Sequence, residues 1–288
     1  MKKLEGKVVV ASGASRGAGR GIARVLGEAG ATVYVVARTS RGGPPPEDGA
    51  PGTVEETAEE VTARGGTGIP IRADLSVEEE TAAVFQRVDR EQGRLDLLVN
   101  SAWTPNFMVH WSKRFWELDY SLWMDTHRTL SVCWLTSVHA IPLMQKTGGG
   151  LVLHVTDNLY PDLSAYRGQI LHDLGHEFTN RLIQNMSRET GETGVAVAGL
   201  NPGFMRTERV LMSMKNEALK KQFRFDLSES PEYIGRAVAA LLGDSDRMKR
   251  NGQLLWVANL ADEYGFDDTD GRRVPLFDPE APEREMPA

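Results

Sequence analysis

A single cysteine, Cys133, stands among 288 residues, so no disulfide can close within the chain and no cysteine-based zinc cluster can be assembled. That economy suits a reducing cytosol. Long apolar runs are also missing. No stretch reaches the 18 or so residues of a membrane span, and Met-Lys-Lys-Leu-Glu-Gly-Lys leads directly into a strand pattern without the apolar core of a secretory leader. A cytoplasmic protein without membrane association is expected, and the glycosylation-like triplet Asn185-Met186-Ser187 is read as chance. Excess basic charge is the third absence. The 33 Lys and Arg are outnumbered by 40 Asp and Glu, and a formal net charge of -7 argues against nucleic acid or acidic membrane surfaces as partners, since phosphate binding needs a basic face. A small-molecule substrate is the expectation.

What is present fits one large α/β domain over 1–288: 41% hydrophobic and 25% charged residues can enclose a sizeable core. Short β-branched runs at Val8-Val9-Val10, Thr32–Val36, Leu97-Leu98-Val99, Leu151-Val152-Leu153, Val195-Ala196-Val197 and Gln253–Val257 alternate with helical periodicity over Thr53–Arg64, Val77–Gln92, Trp123–Met144, His172–Glu189 and Glu232–Leu242. The alternation predicts a doubly wound parallel sheet flanked by helices. No internal repeat interrupts it. Residues 39–52, with Pro44-Pro45-Pro46, must form a surface loop. Residues 103–123 form an aromatic insertion holding Trp103, Phe107, Trp111, Phe115, Trp116 and Trp123; it either walls a bulky apolar substrate or packs onto the core. The polar tail over 265–288 is expected to wrap the surface or fray.

The strongest motif is Ser12-Gly13-Ala14-Ser15-Arg16-Gly17-Ala18-Gly19, directly after the first strand and opening a helix at Arg20-Gly21-Ile22-Ala23. Glycines there let backbone approach a pyrophosphate at a helix N-terminus, where unpaired N–H groups and the dipole favour anions. A glycine-rich turn without a ligand is the plain alternative. Gly13, Ser15, Arg16, Gly17 and Gly19 are therefore candidate cofactor residues on a Rossmann-type fold. At the end of the second strand, where an acidic residue would hold a ribose hydroxyl pair, the chain has Ala37-Arg38-Thr39-Ser40-Arg41. A guanidinium at Arg38, helped by Arg16, can bind a 2′-phosphate that a carboxylate would repel, so NADP(H) is expected over NAD(H) unless Arg38 is merely a solvated strand end.

The spacing of Gly13, Gly17 and Gly19, with Asp74-Leu75-Ser76, Val99-Asn100-Ser101-Ala102 and Asn201-Pro202-Gly203-Phe204-Met205-Arg206-Thr207, resembles the short-chain dehydrogenase/reductase family over nearly the whole chain. The resemblance implies that Asp74 meets the adenine, that Asn100 lies under the adenine ribose, and that Pro202, Gly203 and Thr207 contact the nicotinamide end. It also implies a substrate lid over 205–227 and a homo-oligomer, dimer or tetramer. Ser230-Pro231-Glu232-Tyr233-Ile234-Gly235-Arg236 and Glu263-Tyr264-Gly265-Phe266…Asp270-Gly271-Arg272 resemble a subgroup related to the mammalian dehydrogenase/reductase member 1.

The family's Tyr-x-x-x-Lys pair has no counterpart. Counting back from Pro202 puts its two positions at His172 and His176; Tyr166 is followed four residues later by Ile170, so a shifted frame restores nothing. The family's serine falls at or beside Asp157, with Thr156 as the alternative, and its helix-four asparagine near Thr129. His172 and His176 share one helical face. In one reading His172, oriented by Asp157, is the acid/base of a carbonyl/alcohol oxidoreductase acting on a hydrophobic small molecule. In another, His172, His176 and Asp157 hold a divalent metal such as zinc. In a third, the fold serves a lyase, cyclase or isomerase step or only binds. His154 is read as a core histidine, whereas His127 and Trp111 are placed within reach of the pocket; His110 and His139 have no partner spacing.

Overall fold

The computed structural model describes residues 3–46, 48–103, 113–157, 170–222 and 224–276. Trp111, Phe107 and His110 of the aromatic insertion, Tyr166 and the last part of the tail lie outside the described residues.

Seven parallel strands form one sheet in the order β3-β2-β1-β4-β5-β6-β7. They are β1 (Val8–Ser12), β2 (Thr32–Ala37), β3 (Thr67–Arg72), β4 (Leu97–Asn100), β5 (Gly150–Val155), β6 (Val195–Asn201) and β7 (Leu254–Trp256). Between them run α1 (Gly17–Glu28), α2 (Val54–Ala63), α3 (Glu78–Gln92), α4 (Tyr120–Gln145), α5 (Ile170–Thr190), α6 (Glu208–Ser213), α7 (Glu217–Gln222) and α8 (Pro231–Gly243), and α9 (Val257–Tyr264) follows β7. The β-branched runs are continuous because both sheet faces are covered, as parallel sheets require. Side-chain alternation then sorts them into two cores. Val9, Ala11, Val33 and Val35 pack under α1, α2, α8 and α9, while Val8, Val10, Tyr34 and Val36 pack under α3, α4 and α5.

Two elements differ from expectation. Strand β3 carries Gly68 and Pro70, which argue against a strand; it forms because it is an edge, where proline's missing donor costs nothing, and its Pro70 stands opposite Val35 of β2. Val257, expected to end the last strand, opens α9. The described tail is anchored rather than frayed. Asp268 is buried and accepts from the Ser230 N–H at 2.8 Å and from Arg206 Nη2 at 3.0 Å, and the Val274 carbonyl accepts from the Tyr233 hydroxyl at 3.3 Å.

Strand β1 lies between β2 and β4, so the winding reverses direction there. In open α/β sheets that reversal opens a crevice at the carboxyl ends of the strands.

Candidate active site

The segment following β4 joins the two ends of this crevice. At one end it presses on the glycine-rich loop. A Cβ on Gly13, whose φ is +66°, would lie 2.5 Å from Ala102 Cα, and Gly17 turns at φ +58°, both conditions only glycine meets cheaply. Gly19 is similarly close to Ser101 Oγ. The loop thus hands the chain to α1 with the Gly17 N–H at the helix start, and the Glu208 carboxylate accepts from it at 2.7 Å. That contact tests the cofactor site directly: the place expected to take a diphosphate already takes an anion, so a dinucleotide fits the residues present.

Ser15 is buried in the loop. Arg16 donates to the carbonyls of Pro51 (3.1 Å) and Gly52 (2.9 Å) in the 39–52 loop, which has neither helix nor strand among its described residues. Burial, and then the positive field of Arg209 and Arg38, hold the Arg16 guanidinium below its ordinary pKa. Arg38 is exposed at the end of β2. Asp74 spends one carboxylate oxygen on the N–H (3.0 Å) and hydroxyl (2.7 Å) of Ser76, closing the turn after β3. Asn100 is buried beneath the crevice, accepting from Ser12 Oγ (3.2 Å) and Thr136 Oγ1 (2.9 Å) with Nδ2 3.5 Å from His154 Nδ1. It ties β1, β4, β5 and α4 together. His154 is wholly buried, and desolvation lowers its pKa to about 4, so it stays neutral.

Thr207 caps α6, accepting from the Val210 N–H at 3.3 Å, and its methyl would lie 3.6 Å from a Cβ on Gly17. Pro202 and Gly203 follow β6. The Gly203 N–H donates to Glu229 at 3.0 Å, and burial raises the Glu229 carboxyl to about 8, so it remains protonated at neutral pH.

At the other end, α5 presents His172, His176 and Asn180 at successive four-residue steps, all buried. The indole of Trp103 stacks on His176 at 4.1 Å between ring centres and 11° between planes, and the His172 ring meets His176 edge-on at 4.5 Å. Gly175 makes this possible, because a Cβ there would lie 2.8 Å from the indole. His176 Nδ1 accepts from the Asp157 N–H at 3.0 Å, so its ring proton resides on Nε2 in the neutral form. Asn180 accepts from Thr156 Oγ1 at 2.7 Å and donates to the Asp157 carbonyl at 3.3 Å, fixing the end of β5. His172 stands between two carboxylates, with Nδ1 3.4 Å from Asp173 and Nε2 3.9 Å from Asp157. The nearer carboxylate is therefore Asp173, not Asp157.

The structure thus brings His172, His176 and Asp157 together. It leaves Thr129 out: that hydroxyl is buried in α4 and donates to the Asp125 carbonyl at 3.2 Å within its own helix. His127 is exposed on α4. Among the described residues no group of three His, Cys, Asp or Glu side chains is disposed to hold a metal, and the Asp157 N–H takes one His176 nitrogen; the zinc arrangement finds no ligand set there. Also among them, no helix is long and apolar enough to cross a membrane. Sequence reasoning overlooked Asn180, which the four-residue step from His176 would have reached, and Asp173, Glu208, Arg209 and Glu229.

Residues 7–218 match the family model for short chain dehydrogenase. Dehydrogenase/reductase SDR family member 1 of Mus musculus is 36% identical over 282 residues, spanning 94% of this chain and 86% of its own, and that of Homo sapiens is 35% identical over the same shares. The 7α-hydroxysteroid dehydrogenase of Clostridium sardiniense is 28% identical over 75% of this chain and 78% of its own. A solved short-chain dehydrogenase from Mycobacterium thermoresistibile superposes with a TM-score of 0.81 at 22% identity, covering 99% of this chain and 100% of that one. A 7α-hydroxysteroid dehydrogenase complexed with NADH and 7-oxo glycochenodeoxycholic acid does so at 0.69 and 23%, over 88% and 93%, which shows the shared fold. The chain belongs to the short-chain dehydrogenase family, oxidoreductases that use nicotinamide cofactors on small-molecule substrates.

Proposed function

We propose that the protein is an NADP(H)-dependent oxidoreductase of hydrophobic carbonyl or alcohol substrates in which His172 does the acid/base work of the missing tyrosine. The observation that carries this is the cluster of His172, Asp173, Asp157 and His176 beside Trp103, which stacks on His176 and directly follows Ser101 and Ala102, the residues that pack the glycine-rich loop. Bound at that loop, the cofactor supplies or accepts the hydride. The chain's own part is proton transfer. Asp173 holds His172 through Nδ1, so Nε2 carries the proton exchanged with the substrate oxygen, and Asp157 across from Nε2 stabilises the imidazolium. His176 is a positioning residue, locked between the Trp103 ring and the Asp157 backbone.

A preference for NADP(H) is supported by Arg16, whose guanidinium feels the positive charge of Arg209 and Arg38; a 2′-phosphate dianion relieves that repulsion. A hydrophobic substrate is supported by the Trp103 indole and by exposed Leu211 and Met212 on the lid segment over 205–227, and the Clostridium sardiniense relative is named for an apolar alcohol. Homo-oligomerisation is supported by an exposed apolar face shared by two packed helices: Trp123, Trp134 and Val138 on α4, Leu174 and Phe178 on α5.

The test is NADPH with a broad carbonyl panel, followed at the reduced-nicotinamide absorbance. His172→Ala should lower kcat by about 1,000-fold with NADPH affinity unchanged. A protein that binds NADPH but oxidises it with no carbonyl of the panel rejects the redox reading and returns the site to non-redox chemistry.

A further inference from the structure

Helix α1 begins with no acidic residue in its first turn and no side-chain cap of its own. Its opening N–H groups are left for a partner from elsewhere. That partner comes from 191 residues further along the chain, where Glu208 opens α6: one carboxylate oxygen accepts from the Gly17 N–H at 2.7 Å, and the other lies 3.7 Å from Arg20. Arg20 already has a carboxylate, since Glu60 accepts from its Nε (3.0 Å) and Nη2 (2.6 Å). Glu208 is therefore not required as a counter-charge to Arg20; its close contact is the helix start. The next residue, Arg209, pairs with Asp48 of the 39–52 loop, tying the same turn of α6 to the segment that accepts Arg16's hydrogen bonds.

We propose that Glu208 is an intramolecular competitor for the diphosphate seat, so that α6 is latched over the start of α1 until a dinucleotide displaces its carboxylate. This rests on the reading of the glycine-rich loop as the cofactor seat. One N–H cannot serve both anions, and a carboxylate and a diphosphate at one helix start repel each other. Cofactor binding must break the Glu208 contact, and breaking it frees the first turn of the 205–227 segment beside Thr207 and Gly203. Seating the cofactor and releasing the lid become one event, with Glu208 setting the cofactor affinity below what the loop alone would give.

Glu208→Gln keeps the side chain's size and removes its charge. Titration of NADPH fluorescence should show about fivefold tighter binding by the variant, the discount from a full charged hydrogen bond reflecting partial exposure. Glu208→Ala should move in the same direction. ADP, which carries a diphosphate, should gain alike, whereas 2′-AMP should not. Amide hydrogen exchange across 208–213 in the cofactor-free protein should speed up in both variants. Unchanged or weaker NADPH binding, or an equal gain for 2′-AMP, overturns the latch while leaving the cofactor seat intact. A wild-type protein that binds no nicotinamide nucleotide overturns the seat, and the latch with it.

Discussion

At the glycine-rich end of the crevice the decisive groups belong to the backbone: the turns at Gly13 and Gly17, the N–H at the start of α1, and the close approach of Ala102. At the α5 end they are side chains, with two imidazoles, a carboxylate and an amide from α5 meeting the Asp157 carboxylate and the Trp103 indole from the ends of β5 and β4. A backbone site tolerates few residue types, because any Cβ at Gly13 collides with the next loop. A side-chain site can be rewritten without disturbing the sheet beneath it. That is why the nucleotide motif reads clearly, and why our proposal can put His-x-x-x-His at the family's Tyr-x-x-x-Lys positions on an unchanged fold.

The comparison implies that the reaction end depends on how α4 and α5 are held, and their outer face is apolar. Trp134→Glu, more than half exposed in the single chain, should break a symmetric interface twice over and shift the oligomer equilibrium by more than 1,000-fold towards monomer in sedimentation velocity, while NADPH binding persists. An oligomer that survives the change places the interface elsewhere and frees the α5 site from assembly. Next in size, Arg38→Asp should reverse the cofactor preference by about 100-fold, read as the ratio of kcat/KM for NADPH and NADH. An unchanged ratio would mean that even selectivity is set by backbone at this end.

Legibility followed the same division. Strands such as Thr32–Ala37 and helices such as Val54–Ala63 and Glu78–Gln92 match their expected spans within a residue or so, because burial on both sheet faces and amphipathic helices leave local patterns. Strand β3 was illegible, since Gly68 and Pro70 speak against it and its position beside β2 alone decides. The pairing of His172 with His176 was legible from the four-residue step. Asp173 was in plain view, but its neighbour-to-neighbour contact with His172 has no spacing signature. The Thr129 hydroxyl donates within its own helix, a direction that a count of residues along the chain does not give. Glu208 and Glu229 gave no local signal: each matters for a backbone N–H far off in sequence, Gly17 and Gly203.

Glu229 offers the smallest effect and the finest test, because it places a buried side chain under a backbone turn of the reaction end. Its carboxyl accepts from the Gly203 N–H, and its second oxygen, Oε1, is buried without a partner among the described residues. Desolvation raises its pKa from 4.5 to about 8. Below pH 4.5 the carboxyl is protonated in folded and unfolded chains alike, so the group is neutral for stability. As pH rises from there towards 8, the unfolded chain releases a proton that the folded chain retains, and stability falls, with the full penalty reached near pH 8. Glu229→Gln keeps an acceptor for Gly203 and cannot ionise. In urea unfolding at pH 5 and pH 8, the wild type should lose roughly 1–2 kcal/mol more than the variant between the two. Parallel losses would mean that Glu229 is solvated after all, and the turn at Gly203 would then be held as the glycine-rich loop is, by backbone alone.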